Sequence, residues 1–182
     1  PPYGLLCIPM KYYSLPLFFL FLSALFFSFV IAPSSALAAT ALTTCADLQA
    51  IPSAATGAYS LANDIDCTGV VFSPIPNFSG TFQGNGHVVS NVSISSGASY
   101  VGFFSRLGNG GGPATISNLT LANIHVTTTG AYVGLLAGTS NADVITNVSV
   151  SGTIASASAY VGGLIGITDG SVITRVEASV VI

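Results

Sequence analysis

The 182-residue chain is 51% hydrophobic and only 5% charged, and its six acids and three bases leave a net charge of −3. Beyond Lys11 only Arg106 and Arg175 are basic, too few to track a phosphate backbone, so nucleic acid is excluded as an expected partner. With Gly, Ser, Thr, Ala and Val prominent, order has to come from backbone pairing and small-residue packing.

Nine residues precede the single methionine, Met10, and these, Cys7 included, read as upstream sequence. Residues 17–32, LFFLFLSALFFSFVIA, carry no charge and follow the short basic lead Met10-Lys11. Pro33 ends the run and Ala36-Leu37-Ala38 supplies the small residues an export peptidase accepts, so residues 1–38 are predicted to hold a signal peptide cleaved after Ala38. The rival reading is an uncleaved anchor, because the apolar run approaches the short end of a bilayer span; membrane contact is expected only through this segment. The predicted location is secreted or on the cell surface.

Export makes the two remaining cysteines legible. Cys45 and Cys67 are an even pair outside any C-x-x-C arrangement, which reads as a disulfide in an oxidising compartment. With two isolated histidines, His87 and His125, they do not give zinc spacing, so no metal and no cofactor is expected. Residues 39–80 are predicted to form an N-terminal cap. TTCADLQAIP suits a short helix or turn with Thr44 as cap before Asp47, and GAYSLANDIDCTGVVFSPI reads as strand, turn and strand.

From residue 81 the sequence repeats. Tyr100, Tyr132 and Tyr160 each precede Val-Gly, in SYVGFF, AYVGLLAG and AYVGGLIG. A second phrase recurs as VSNVSI, ISNLTL, ITNVSV and ITRVEA, placing Asn91, Asn118, Asn147 and Arg175 at steps of 27, 29 and 28. A period in that range marks a solenoid whose units bury their apolar faces only against neighbours. The units are strands: VSVSGTI and VITNVSV put an apolar residue at every second place.

That alternation changes phase across Asn91, Asn118 and Asn147, so the chain must bend there. Asn tolerates the left-handed backbone such a bend demands, and one Asn per coil predicts an amide ladder down a corner. Gly102, Gly134 and Gly162 follow the tyrosine phrase, with Gly138 and Gly166 four residues on and opposite Arg106 of the first copy; fixed glycines mark corners or close backbone approach. Parity does not settle which face the tyrosines take, a half-buried stack or an exterior ladder. LGNGGGPA reads as a three-residue expansion protruding from the first coil.

YVGGLIG and YVGLLAG, with GTFQGNGHVVSNVSI and YSLANDIDC before them, resemble the GLUG-repeat proteins. The resemblance spans residues 43–182 and implies a right-handed parallel β-helix in an exported bacterial surface or secreted protein. It also implies neighbours such as IgA-specific metallopeptidases and adhesin-like chains. YVGFFSR, without the final Gly, and Arg175 in place of Asn depart from the pattern. The motif is structural, so no catalytic residue is carried over from it.

The chain ends inside an apolar run, ASVVI, which predicts the N-terminal part of a longer protein. Export, repetition and sparse charge favour a non-catalytic structural or interaction module, adhesin-like, whose partner is a host or extracellular glycan or protein. A polysaccharide-degrading β-helix is the enzymatic alternative. It needs a carboxylate pair or a base with cation help, yet of the acids only Asp64 and Asp66 stand near each other in sequence, as a turn closure or a calcium pair. Asp143 and Asp169 take corner positions without a matched partner. A third reading makes the chain the non-catalytic N-terminal region of a larger secreted peptidase, since H-E-x-x-H is absent. Asn77, Asn91, Asn118 and Asn147 each begin an N-x-[ST] acceptor; three of these follow from a corner Asn entering an alternating strand.

Overall fold

The computed structural model describes residues 38–109 and 111–182. The predicted signal segment ahead of Ala38 lies outside them. A short strand β1 (Thr40–Leu42) and helix α1 (Cys45–Gln49) stand at the N-terminal end, followed by β2 (Ala58–Leu61) and β3 (Ile65–Asp66). The next turn holds β4 (Thr81–Gln83), β5 (Val88–Ser90), β6 (Ser93–Ser96), β7 (Tyr100–Val101) and β8 (Phe104–Leu107). Two longer passes follow: β9 (Thr115–Thr128), β10 (Tyr132–Val133) and β11 (Ala137–Asn141), then β12 (Val144–Ser156), β13 (Tyr160–Val161) and β14 (Ile165–Asp169). The last strand is β15 (Val172–Val181).

Every pairing is parallel, and the stacks β2-β4-β9-β12-β15, β7-β10-β13 and β8-β11-β14 are the walls of a β-solenoid of about four turns. Ala58, Thr81, Thr115, Val144 and Val172 are successive register partners in one column, so the turns between them take 23, 34, 29 and 28 residues.

The core fills this tube by alternation. In β9, Ile116, Leu119, Leu121, Ile124 and Val126 point inward and are buried; the two-residue gaps at Asn118 and Asn123 are where the backbone turns left-handed, with φ of 52° and 56°. The early turns pack aromatic rings: Phe72 stacks on Phe103 at 5.1 Å, and Phe78 lies 5.2 Å from Phe104. Later turns replace these with Leu, Ile and Val. In the final turn Val172, Ile173 and Val181 are exposed.

The N-terminal end is closed by three local devices. Thr44 caps α1 through a reciprocal box in which Asp47 Oδ2 accepts from the Thr44 backbone N–H and Thr44 Oγ1 accepts from that of Asp47, satisfying donors the short helix leaves open. A disulfide joins Cys45 to Cys67. Gln49 then bonds the backbone of Ser73 in both directions. Within residues 39–80, residues 58–80 wind as the first turn, because β2 pairs with both β1 and β4.

Two details of the repeat differ from its reading in sequence. Asn91 does not stack under Asn118. Ser90 partners Ala122, which sets Asn91 under Asn123 in a second corner, because the turn Gly84-Asn85-Gly86-His87 adds residues between Gln83, opposite Ser117, and Val88, opposite Thr120. The expansion after Leu107 is four residues, since Leu107 partners Ser140 while Thr115 partners Val144. A one-residue shortening between Val101 and Phe104, which pair with Val133 and Ala137, reduces the net gain of that coil to the three residues expected. That shortening puts Arg106 opposite Thr139 and leaves Gly138 facing Ser105.

The tyrosine-phrase glycines hold close backbone approach. A Cβ on Gly134 would stand 2.5–2.6 Å from backbone atoms of Ala137, Leu164 and Ile165; Gly102, Gly138 and Gly166 meet comparable backbone contacts in an adjoining turn, and Gly162 in its own. Gly134→Ala is therefore expected to cost roughly 1–3 kcal/mol in urea unfolding, whereas Gly57→Ala, whose added methyl meets only the Tyr59 ring at 3.6 Å, should stay near wild type. Equal midpoints for the two would show that the close approach is not what fixes glycine. Replacing Cys45 and Cys67 together by Ser frees a 22-residue separation and should lower stability by about 3 kcal/mol on the loop-entropy account, read as a lower midpoint matching that of the reduced wild-type chain.

Candidate functional site

The outward side chains form columns, one residue per turn. Down the first corner, Asn147 Nδ2 donates to Asn118 Oδ1 at 2.8 Å, and Asn118 Nδ2 to Gln83 Oε1 at 3.2 Å. Arg175 continues the column with the same left-handed backbone, φ 52°. Down the second corner, Asn123 Nδ2 donates to Asn91 Oδ1 at 2.6 Å and Asn91 Nδ2 to Asp66 Oδ1 at 2.8 Å. Asn123 was not singled out in the sequence, although LANIHV (residues 121–126) carries the same apolar-x-Asn-apolar signature as VSNVSI. The stacked amides leave the buried strands on both sides of each bend free to alternate inward.

On another wall Tyr100, Tyr132 and Tyr160 form an outward-facing stack, half-buried at Tyr100 and Tyr132 and exposed at Tyr160. Their rings stack at 5.1 and 4.9 Å, while the following Val101 and Val133 are buried. Tyr160 is 51% exposed. The Arg106 guanidinium lies over the Tyr100 ring, 3.9 Å from its centre. A shallow hollow of about 360 Å³ opens here, bordered by Asn77, Ser99, Tyr100, Ser105 and Arg106. A second, axial groove of about 310 Å³ runs beside the first corner, between the Asn118–Asn147–Arg175 column and the Thr120–Ser149–Glu177 column.

Four of the acids, Asp47, Asp64, Asp66 and Asp143, are held by hydrogen bonds of the scaffold. Asp64 accepts from the Val88 N–H and from His87 at 3.0 and 3.1 Å; Asp66 accepts from Asn91 and Thr68. The two carboxylates thus pin β3 to the next turn, and no cluster of three metal-ligating side chains occurs among the described residues. Asp169 pairs in register with Asn141. Asp143 is buried at the foot of the four-residue expansion, accepting from Ala114 N–H, Asn141 N–H and the Ser140 hydroxyl at 2.6, 2.9 and 2.6 Å. His125 contacts Thr153 Oγ1 at 2.8 Å on an exposed sheet face.

These contacts shift the carboxyl pKa values in opposite directions. The Thr43 and Thr44 donors lower Asp47 to about 2; the Val88 N–H lowers Asp64, and the Asn91 amide lowers Asp66. Burial raises Asp143 against the pull of its three donors. A lowered folded pKa contributes stability above the ordinary carboxylate range that is lost as pH falls through the folded value. For Asp47 that loss spans roughly pH 4 to 2. A raised folded pKa contributes stability below the ordinary range that is lost as pH rises through the folded value, and this is the case of Asp143. Melting temperature should therefore fall on acidification from pH 4 to 2, less steeply in Asp47→Asn. Above pH 4 Asp143→Asn should remove a downward slope; a slope unchanged in that variant would detach it from Asp143.

No family model matches the chain, and no solved structure matches it. Over 129 residues the chain is 40% identical to Halomucin of Haloquadratum walsbyi (strain DSM 16790 / HBSQ001), a match covering 60% of this chain. The chain spans 1% of the length of Halomucin, a giant protein by that proportion, so what this chain is similar to is one small stretch of a far longer polypeptide.

Proposed function

We propose that the chain is an exported, non-catalytic segment of a larger surface or secreted protein, an adhesin-like solenoid that displays its outer walls to extracellular glycans or proteins. The observation that carries this reading is the likeness to a stretch of a giant protein named as a mucin, in a chain that holds a disulfide, a bond that persists in oxidising compartments. The side-chain columns support it. A solenoid presents long, regular faces, and here those faces are built of Ser, Thr, Asn and Tyr with few charges, suited to many weak polar contacts along a polymer. The tyrosine phrases fit the GLUG repeat, and under that reading the export signal ahead of Ala38 and a bacterial setting belong to the same proposal.

Antibody labelling of intact cells making the full-length protein should reach the Tyr100–Tyr132–Tyr160 wall, and deleting residues 81–182 in frame should reduce attachment of those cells to glycan-coated surfaces. Labelling only after permeabilisation, or attachment unchanged by the deletion, would reject the proposal. Release of reducing ends from polygalacturonate by the purified chain would favour the polysaccharide-degrading alternative instead.

A further inference from the structure

Arg106 stands where the repeat has no cation: its column continues as Thr139 and Ile167 in the next two turns. The 5.1 Å spacing between Tyr100 and Tyr132 leaves no room for a guanidinium between the rings. Arg106 therefore covers the other face of Tyr100, the side on which the preceding turn has no tyrosine to stack. An approach of 3.9 Å lays the flat side of the guanidinium on the ring and leaves its edge, the N–H fork, pointing elsewhere. Among the described residues that fork donates no hydrogen bond and meets no carboxylate; the one ion pair there is His87 with Asp64. Five donors are held in place, partly buried, with no acceptor among the described residues.

The surroundings suit an acceptor of defined chemistry. No acid borders the hollow, so an arriving anion meets no local repulsion. Asn77 enters on a left-handed turn, φ 42°, and its Oδ1 accepts weakly from Asn109 at 3.4 Å while its own amide N–H groups have no partner among the described residues. Ser99 and Ser105 add hydroxyls on either side, and the volume of about 360 Å³ lies at the small end of ligand pockets.

We infer that this hollow binds the acidic group of an anionic glycan, a sugar carboxylate or sulfate held by the Arg106 fork, with Asn77, Ser99 and Ser105 engaging neighbouring sugar hydroxyls. The inference deepens the surface-module reading by naming a class of partner. Guanidinium recognises planar carboxylate and sulfate oxygens through paired N–H donors, which an ammonium does not reproduce. The ring beneath fixes the fork before the ligand arrives, which limits the ordering cost of binding.

The test is calorimetric titration of the intact chain with tetragalacturonate (carboxylate only), a carboxyl-reduced tetragalactose of the same linkage (neutral) and a sulfated carrageenan tetrasaccharide (sulfate only). At least one anionic oligomer should bind tenfold or more tighter than the neutral one, and which of them does so identifies the acidic group. Arg106→Gln should reduce anionic binding to the neutral level, Arg106→Lys should recover only part of it, and Arg175→Gln should leave it unchanged. Since Arg106→Lys keeps a cation over Tyr100, it decides the matter if Arg106→Gln unfolds. Anionic binding that matches the neutral oligomer, that survives in Arg106→Lys at full strength, or that polyglutamate displaces as well as tetragalacturonate does, would overturn the inference. The display and attachment assay above involves no substitution at Arg106, so the site and the surface-module reading fail separately.

Discussion

Parallel in-register stacking is the constraint from which the remaining features of this solenoid follow. A strand pairs with the strand one turn below only if both follow the same path, so the positions where the backbone bends must recur in vertical columns. Bending a strand without losing inward alternation requires a left-handed residue at the bend, and L-residues other than Asn and Asp resist that conformation. The corners are accordingly held by Asn91 over Asp66, by Asn123 over Asn91, and by Asn147 over Asn118. Each amide at once tolerates the backbone angle and donates to a side-chain oxygen of the adjoining turn, an Asn in two cases and Asp66 or Gln83 at the capped end. Arg175 adopts the angle with no amide to offer, and it does so in the turn whose side chains are the most exposed.

The sequence exposes this constraint unevenly, and the reason is physical. Where successive turns differ by no more than one residue, as from Thr115 onward, spacing reports stacking directly, and the tyrosine phrases and the Asn118–Asn147–Arg175 column were legible from repetition alone. Where turns differ in length, spacing misleads. The second turn, with 34 residues between Thr81 and Thr115, passes through two left-handed corners, and the 27-residue step from Asn91 to Asn118 joins one corner to the other. Signatures such as VSNVSI identify a corner but not which corner. Deciding between them needs the strand pairing, which depends on how many residues the loop at Gly84-Asn85-Gly86 consumes. The face taken by the tyrosines was hidden for a related reason: Tyr100 and Val101 alternate in a strand of two residues, too short for parity to declare which one is inside.

Sparse charge is part of the same design. A stacked column places identical positions about 4.8 Å apart, so a charge repeated once per turn would face its copies along the whole wall. Neutral Asn, Thr, Ser and Tyr stack without that penalty, and the ionisable groups accordingly occupy places where the repeat breaks. Asp64 and Asp66 lie at the capped end. Asp143 takes a position filled in the next turn by Ser171, whose uncharged hydroxyl accepts from the Asp143 N–H at 3.1 Å. Asp169 replaces Asn141, and Arg106 replaces Thr139.

Individuality in a repeat protein therefore has to be sought in its departures from the repeat, and in this chain they gather in one turn. Residues 81–114 contain the widened first corner, the one-residue shortening after Val101, the four-residue expansion after Leu107 and, at Arg106, a cation with no ion pair among the described residues. These changes are connected. Shortening the tyrosine phrase by one residue shifts the following strand so that Arg106 takes a column held elsewhere by Thr139 and Ile167, beside an aromatic face that no ring from the turn below covers. After the longer expansion that follows Leu107, Thr115 is back in the column of Val144, so the regular turns above stack undisturbed. A local change of chain length has thus placed a guanidinium, with no acceptor among the described residues, in a column otherwise held by Thr139 and Ile167. Within a fold this repetitive, such a compensated shift generates a distinct chemical site without disturbing the column that stabilises the tube.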